Sequence, residues 1–207
     1  MRVLGIDPGL VRTGWAVVEP AGGRLVVRDY GLVAPRVDAE LPARLAEGAA
    51  QLRAVVAAQA PDLATLEEVF TAPRHPRSAL LMAHMRGVIC LLLEEAHVPI
   101  VPMTATTVKQ RLTGAGHASK EQVQRMVLHL TGLDPAAHLR WDVTDALALA
   151  IAGLNQESAS GRPTAGGRHR GRRLPDRFAN LLAEATRQAE RPSSPVPAAP
   201  PPTTAHV

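Results

Sequence analysis

The spacing of turns in the first 34 residues restricts the fold more than any other feature. Val3-Leu4-Gly5-Ile6-Asp7 is a short apolar run closed by Pro8-Gly9; Thr13–Glu19 is a second run, and Gly22-Gly23 turns it into Arg24–Tyr30. Short runs rich in valine and bounded by Gly and Pro are expected as strands. Too few residues separate them for a crossover helix, so they should pair as an antiparallel meander. From Glu40 to Ala60 the period becomes helical, with Leu41, Leu45, Leu52, Val55 and Val56 on one side and Pro61-Asp62 as the stop. A strand over Leu63–Phe70 follows, then a loop fenced by Pro73 and Pro76, a helix over Arg77–Ala96 and a strand over Val98–Met103. A short helix around Thr106–Leu112 leads through a Gly114/Gly116 loop to a helix opening at Ser119, where Ser119-x-x-Gln122 is a capping box. The last helix of this part, Asp142–Leu154, is mostly Ala, Leu and Ile. A meander followed by alternating helices and strands predicts an α/β domain: a mixed sheet flanked by helices.

Residues 155–207 differ in kind. Asn155–Arg173 is rich in Gly, Ser and Arg and reads as a flexible basic linker; Leu174–Arg191 has the spacing of a short amphipathic helix. Residues 192–202 hold six prolines in eleven positions, so that end is expected to be disordered. The formal charge of +4 also belongs to this part. Residues 1–154 carry 13 Arg and 2 Lys against 15 acidic residues and are neutral, whereas 155–207 carry 8 Arg against 4 acidic residues. A basic total therefore does not make the folded part a polyanion binder. One cysteine, Cys90, excludes a disulfide framework and any cysteine-rich zinc site. The most apolar stretch, Ala79–Leu93, contains His84 and Arg86 and is too short and polar to span a bilayer. No secretory core follows Met1. The expectation is a reduced, cytoplasmic protein without membrane contact.

The acids of the first part sit at element ends. Asp7 closes the first strand, Glu67 ends an otherwise apolar strand, and Asp142 and Asp145 open the last helix at i, i+3, on one face. Singly each has an ordinary explanation: a turn, the exposed end of a strand, a helix cap. Together, four carboxylates from three distant elements fit a site for hard cations. Mg²⁺ takes a few carboxylates, keeps several waters and accepts phosphate oxygens as further ligands. Two such ions roughly 4 Å apart can hold the attacking water and leaving oxygen of a phosphodiester. None of the histidines lies at ligand spacing beside these acids.

A compositional anomaly adds to this. The chain uses Arg 21 times and Lys twice, yet Lys109 and Lys120 fall close together, on either side of the Thr113–His117 loop. Lysine offers a compact, flexible charge for a phosphate. Phe70, one of two phenylalanines, stands three residues after Glu67 and is either a core ring or a stacking platform for a base.

In order and spacing these residues resemble the RuvC family of Holliday-junction resolvases, which share a ribonuclease-H-like fold. The resemblance covers about residues 1–154. It rests on Gly5-Ile6-Asp7-Pro8-Gly9 with Thr13-Gly14, on Glu67-x-Val69-Phe70, on Arg86-Gly87 and on Val108-Lys109-Gln110. It continues through Gly116-x-Ala118-x-Lys120-x-Gln122-Val123 and Asp142-x-x-Asp145-Ala146-Leu147-Ala148. It implies that Asp7, Glu67, Asp142 and Asp145 are the metal-binding catalytic carboxylates. It further implies that Lys109 and Lys120 engage DNA at the active site, and that Phe70 lies near the exchange point of a junction. The implied activity is Mg²⁺-dependent nicking of two opposed strands of a four-way DNA junction in recombination and repair, with two ions per site and Mn²⁺ able to substitute. The implied assembly is a homodimer working beside the RuvA–RuvB branch-migration complex, with the apolar Arg77–Ala96 helix as the candidate dimer contact. The Thr71–Ser78 loop departs from the family in its pair of prolines and its lack of an asparagine.

Three other readings share some of these features. An actin-like ATPase or sugar kinase also opens with a strand-borne acidic hairpin, but needs a second similar half that a single 154-residue core does not supply. A ribonuclease-H-like nuclease acting on RNA would use the same carboxylates. A junction-binding protein without catalysis would not need all four.

Overall fold

The computed structural model describes residues 1–68, 76–134, 136 and 139–160. Phe70, most of the loop that follows it, the Leu174–Arg191 segment and the proline-rich end lie outside the described residues. Strands β1 (Val3–Asp7), β2 (Thr13–Ala21) and β3 (Arg24–Val33) form the expected meander, β1 antiparallel to β2 and β2 antiparallel to β3. Helix α1 (Leu41–Gln59) starts with Pro42 in its first turn and ends at Ala60, which adopts a left-handed conformation just before Pro61. It carries the chain to β4 (Leu63–Glu67), which pairs parallel with β1. Helix α2 (Pro76–Glu95) in turn leads to β5 (Ile100–Met103), parallel to β4. The sheet is mixed, in the order β3-β2-β1-β4-β5.

Three helices close the described chain: α3 (Ala105–Thr113), α4 (Lys120–Thr131) and α5 (Trp141–Ser160). Their ends follow local chemistry. Thr104 caps α3 through its hydroxyl, and Gly114 ends it in a left-handed conformation. The capping box at α4 is formed on both sides: Gln122 N donates to Ser119 Oγ at 3.3 Å, and Ser119 N donates to Gln122 Oε1 at 2.7 Å. Helix α5 outruns its expected end at Leu154. Arg111 of α3 donates to Gln156 Oε1 at 2.7 Å and to the Ala152 carbonyl at 3.3 Å, which gives the polar residues after Leu154 a partner inside the fold.

The sheet has a core on each face. One face packs Val3, Ala16, Val18 and Leu63 against α3, α4 and α5, with Leu147, Ile151 and Leu154 fully buried. The other packs Leu4, Ile6, Val17 and Leu66 against α1 and α2, with Leu52, Met85, Ile89 and Leu93 beneath. This is the helix-flanked mixed sheet expected from the sequence. Among the described residues, no helix is long and apolar enough to cross a membrane.

Candidate active site

Strand alternation decides where the acids point. In β1, Leu4 and Ile6 belong to the α1/α2 side and Val3 to the α5 side, so Asp7 faces α5. In β4, Ala64 and Leu66 belong to the α1/α2 side and Leu63 to the α5 side, so Glu67 faces α5 as well. Ile6 pairs with Leu66, which sets Asp7 and Glu67 level on adjacent parallel strands, at their carboxyl ends. Ligands of open α/β sheets gather at such ends.

Helix α5 reaches them because two glycines let it. A Cβ on Gly5 would overlap the Ala146 carbonyl, and one on Gly14 would overlap the Asp142 carbonyl. Gly14 is also the antiparallel partner of Asp7. The missing side chain in β2 is therefore the space in which the first turn of α5 lies beside Asp7. Asp142 sits there, and Asp145 follows one turn on.

The four carboxylates form one electrostatic unit. Asp7 and Glu67 stand close enough for the Glu67 carboxyl to favour the protonated form of Asp7. Burial, then the closeness and charge of Glu67, then Asp145 and Asp142, push Asp7 from 3.8 up to about 9. Burial likewise raises Asp145; Lys120 opposes the shift, with Nζ 3.5 Å from Asp145 Oδ2, and Glu67 and Asp142 reinforce it. Asp142 Oδ2 stands 4.0 Å from Arg140 Nε.

These contacts bear on whether the residues suit a metal. Among the described residues, no three His, Cys, Asp or Glu side chains stand in a ready-made cage. Instead Asp7 is held toward its protonated form, while Lys120 and Arg140 pair with Asp145 and Asp142. Each partner supplies positive charge where the acids repel one another. A set made only of carboxylate oxygens, gathered at the cost of protonating one of them, fits a hard divalent cation.

Of the basic residues singled out in the sequence, Lys120 is brought to the acids and is exposed. Lys109 lies half-buried on α3, its carbonyl accepting from the Thr113 hydroxyl at 2.8 Å; among the described residues, no ion pair joins its ammonium group to the cluster. Two further residues stand at the site. Arg86 of α2 donates from Nε to the Glu67 carbonyl at 3.1 Å and so ties down the end of β4. Trp141, 41% exposed, adjoins Asp142, and Lys120 Nζ lies 6.0 Å from its ring centre. With five rings in the whole chain, a tryptophan next to a site acid was the visible signal for it. Arg86 already stood in the Arg86-Gly87 motif, but its bond ends on a backbone atom, so the sequence did not show what it holds.

Comparison with known proteins agrees with this architecture. Residues 3–153 match the family model "Crossover junction endodeoxyribonuclease RuvC". Proteins of that name from Rhodopirellula baltica and Syntrophotalea carbinolica are 43% and 42% identical to the chain, each over 73% of it and over 84% and 92% of their own lengths. Among solved structures, Thermus thermophilus RuvC superposes with a TM-score of 0.70 at 29% identity, covering 78% of this chain and 97% of that one. T. thermophilus RuvC in complex with Holliday junction substrate gives 0.68 at 30% identity, covering 73% and 92%. The yeast mitochondrial resolvase Ydc2, at 13% identity and a TM-score of 0.57, shares the fold. A family match over most of the folded part, with acids at the ends of β1 and β4 and at the start of α5, places this chain in the crossover junction endodeoxyribonuclease RuvC family, a family of metal-dependent nucleases.

Proposed function

We propose that this protein resolves four-way DNA junctions, cutting two opposed strands by metal-assisted hydrolysis of a phosphodiester during recombination and repair. The carrying observation is the convergence of Asp7, Glu67, Asp142 and Asp145 at one end of the sheet, crowded enough to push the Asp7 carboxyl up to about 9. That crowding is hard to sustain in a protein that only binds DNA.

In this reading the four carboxylates hold the divalent ions, with Mg²⁺ the natural occupant and Mn²⁺ an acceptable one. When bound, a pair of such ions neutralises the scissile phosphate and makes a water acidic enough to attack it. The chain's own residues do the rest. Asp7, held toward its protonated form by burial and its acidic neighbours, would give up that proton as the site filled. Arg86 fixes the Glu67 backbone, so that carboxylate enters from a constant position. Lys120 is exposed beside Asp145 and available to a phosphate along the cut strand; family resemblance assigns Lys109 to DNA at the active site and Phe70 to the neighbourhood of the exchange point.

We assign catalysis to residues 1–154 and an accessory role to 155–207. We also assign a homodimer, because two-fold symmetry lets two identical sites meet two equivalent strands. Work beside a RuvA–RuvB complex in the bacterial cytoplasm completes the proposal. The test is to incubate the full chain with a synthetic four-way junction and Mg²⁺ and to map the nicks, with flap, duplex and RNA substrates alongside. Paired symmetric nicks in the junction alone are expected. Asp7→Asn and Glu67→Gln should abolish them while junction binding survives, since removing negative charge eases the approach of phosphate. Undiminished cutting by both variants would overturn the assignment of the site.

A further inference from the structure

Trp141 and Lys120 form an arrangement that the cleavage chemistry does not require. An exposed tryptophan at the head of a helix is costly to leave in water, and here it is 41% exposed next to Asp142. Its environment is polar and basic. Lys120 Nζ lies 6.0 Å from the ring centre, at the limit of a cation–π interaction, and 3.5 Å from Asp145. Arg140, the preceding residue, is exposed and reaches Asp142. An exposed aromatic face with a cation beside it, and a second cation on the preceding residue, is the chemistry that holds a nucleobase: the ring stacks on the base while the cations are free to meet neighbouring phosphates. A protein partner is less well matched, because the charged Lys120 and Arg140 stand beside the ring and the acids next to it.

We infer that Trp141 is a stacking platform for one unpaired base flanking the cleaved phosphate, with Lys120 orienting the ring and pairing with the neighbouring phosphate. This rests on the junction-cleaving reading above and adds to it a specific base-binding surface near the cut. The platform lies on α5, which carries Asp142 and Asp145, so a base held there is in register with the acids. Trp141 is a positioning residue in this role.

Trp15, the other tryptophan, is buried against Gly31 in the sheet, so a change in emission caused by stacking belongs to Trp141. The full chain is titrated with a four-way junction without divalent ion, and fluorescence quenching is followed beside affinity. Single abasic sites are then placed in turn along the cut strand. Trp141→Ala should weaken binding roughly ten-fold, and Trp141→Phe, which keeps a ring, should stay within about two-fold. One abasic position should weaken the unmodified protein to the same degree and leave Trp141→Ala no weaker than before. Quenching should vanish in Trp141→Phe. If the unmodified protein binds and nicks junctions but no abasic position distinguishes it from Trp141→Ala, the platform is refuted and the cleavage reading stands. If the unmodified protein neither binds nor nicks, both fail. Thermal melting of each variant separates misfolding from removal of the stacking surface, and Trp141→Phe retains the test should the alanine variant unfold.

Discussion

At the scale of single residues, Asp7 carries the tension of the site. It is a carboxyl group placed where burial and three acidic neighbours hold its proton up to about 9. Linkage gives the sign. In the unfolded chain Asp7 ionises near its ordinary 3.8, so above that pH the unfolded state is favoured by releasing a proton that the folded state retains. The metal-free protein should be most stable below about pH 4 as far as this group is concerned, and should lose that contribution steadily as pH rises toward 9. Lys120 and Arg140 lessen the repulsion at Asp145 and Asp142, but neither pairs with Asp7. Asp7→Asn keeps the shape of the side chain and removes its titration. In chelator at pH 8, the variant should melt higher than the unmodified protein, by roughly 3 °C or more. Its melting temperature should also vary less between pH 5 and pH 8. Adding Mg²⁺ should raise the melting temperature of the unmodified protein and do less for the variant. A variant that melts lower than the parent at pH 8 in chelator would contradict this account of the cluster.

At the scale of elements, α2 shows how one helix can serve two purposes. Its inner side is ordinary core: Met85, Ile89, Leu92 and Leu93 are essentially buried beneath the sheet. Its outer side exposes Leu80 at 62% and Leu91 at 58% on either side of Gly87, in a stripe shared with exposed His84 and Glu94. Two large leucines exposed on one stripe mark a surface suited to a partner. A second copy crossing α2 near Gly87 would cover it, as a symmetric dimer would provide. The same helix carries Arg86, whose bond to the Glu67 carbonyl joins this face to the site. Leu91→Glu, with Leu80→Glu added if needed, should convert the protein to a monomer by light scattering while its fold persists by circular dichroism. The monomer should nick junctions singly, losing the pairing of cuts. A double variant that remains dimeric would remove α2 from the interface.

At the scale of the whole molecule, what could be read from the sequence divides by the range of the forces involved. The meander, the capping box at Ser119 and the stop at Pro61 are local, set by turns and caps within a few residues. The acids could also be recognised as a set, because each ends its element. Their meeting could not be derived from spacing: it depends on the pairing of Asp7 with Gly14 and on the Asp142 carbonyl filling the space above that glycine. The end of α5 was hidden for a similar reason. Asn155 onward looks like linker by composition, but Arg111 of α3 holds Gln156 and the helix runs to Ser160. That boundary decides how the tail should be tested. Residues 161–207 carry 8 Arg against 3 acidic residues, so ending the chain after Ser160 removes a strongly basic segment while sparing α5. Basic segments contribute affinity through phosphates and released counterions, which does not depend on sequence. The truncated protein should therefore bind junctions more weakly at low salt. Its plot of log affinity against log salt should be shallower by roughly 0.7–0.9 for each phosphate that the tail would otherwise neutralise. The positions of its nicks should not move, because the acids, both lysines and Trp141 all precede the truncation point. A shift of the nicks, or an unchanged salt slope, would show that the tail reads the junction itself or does not touch DNA at all.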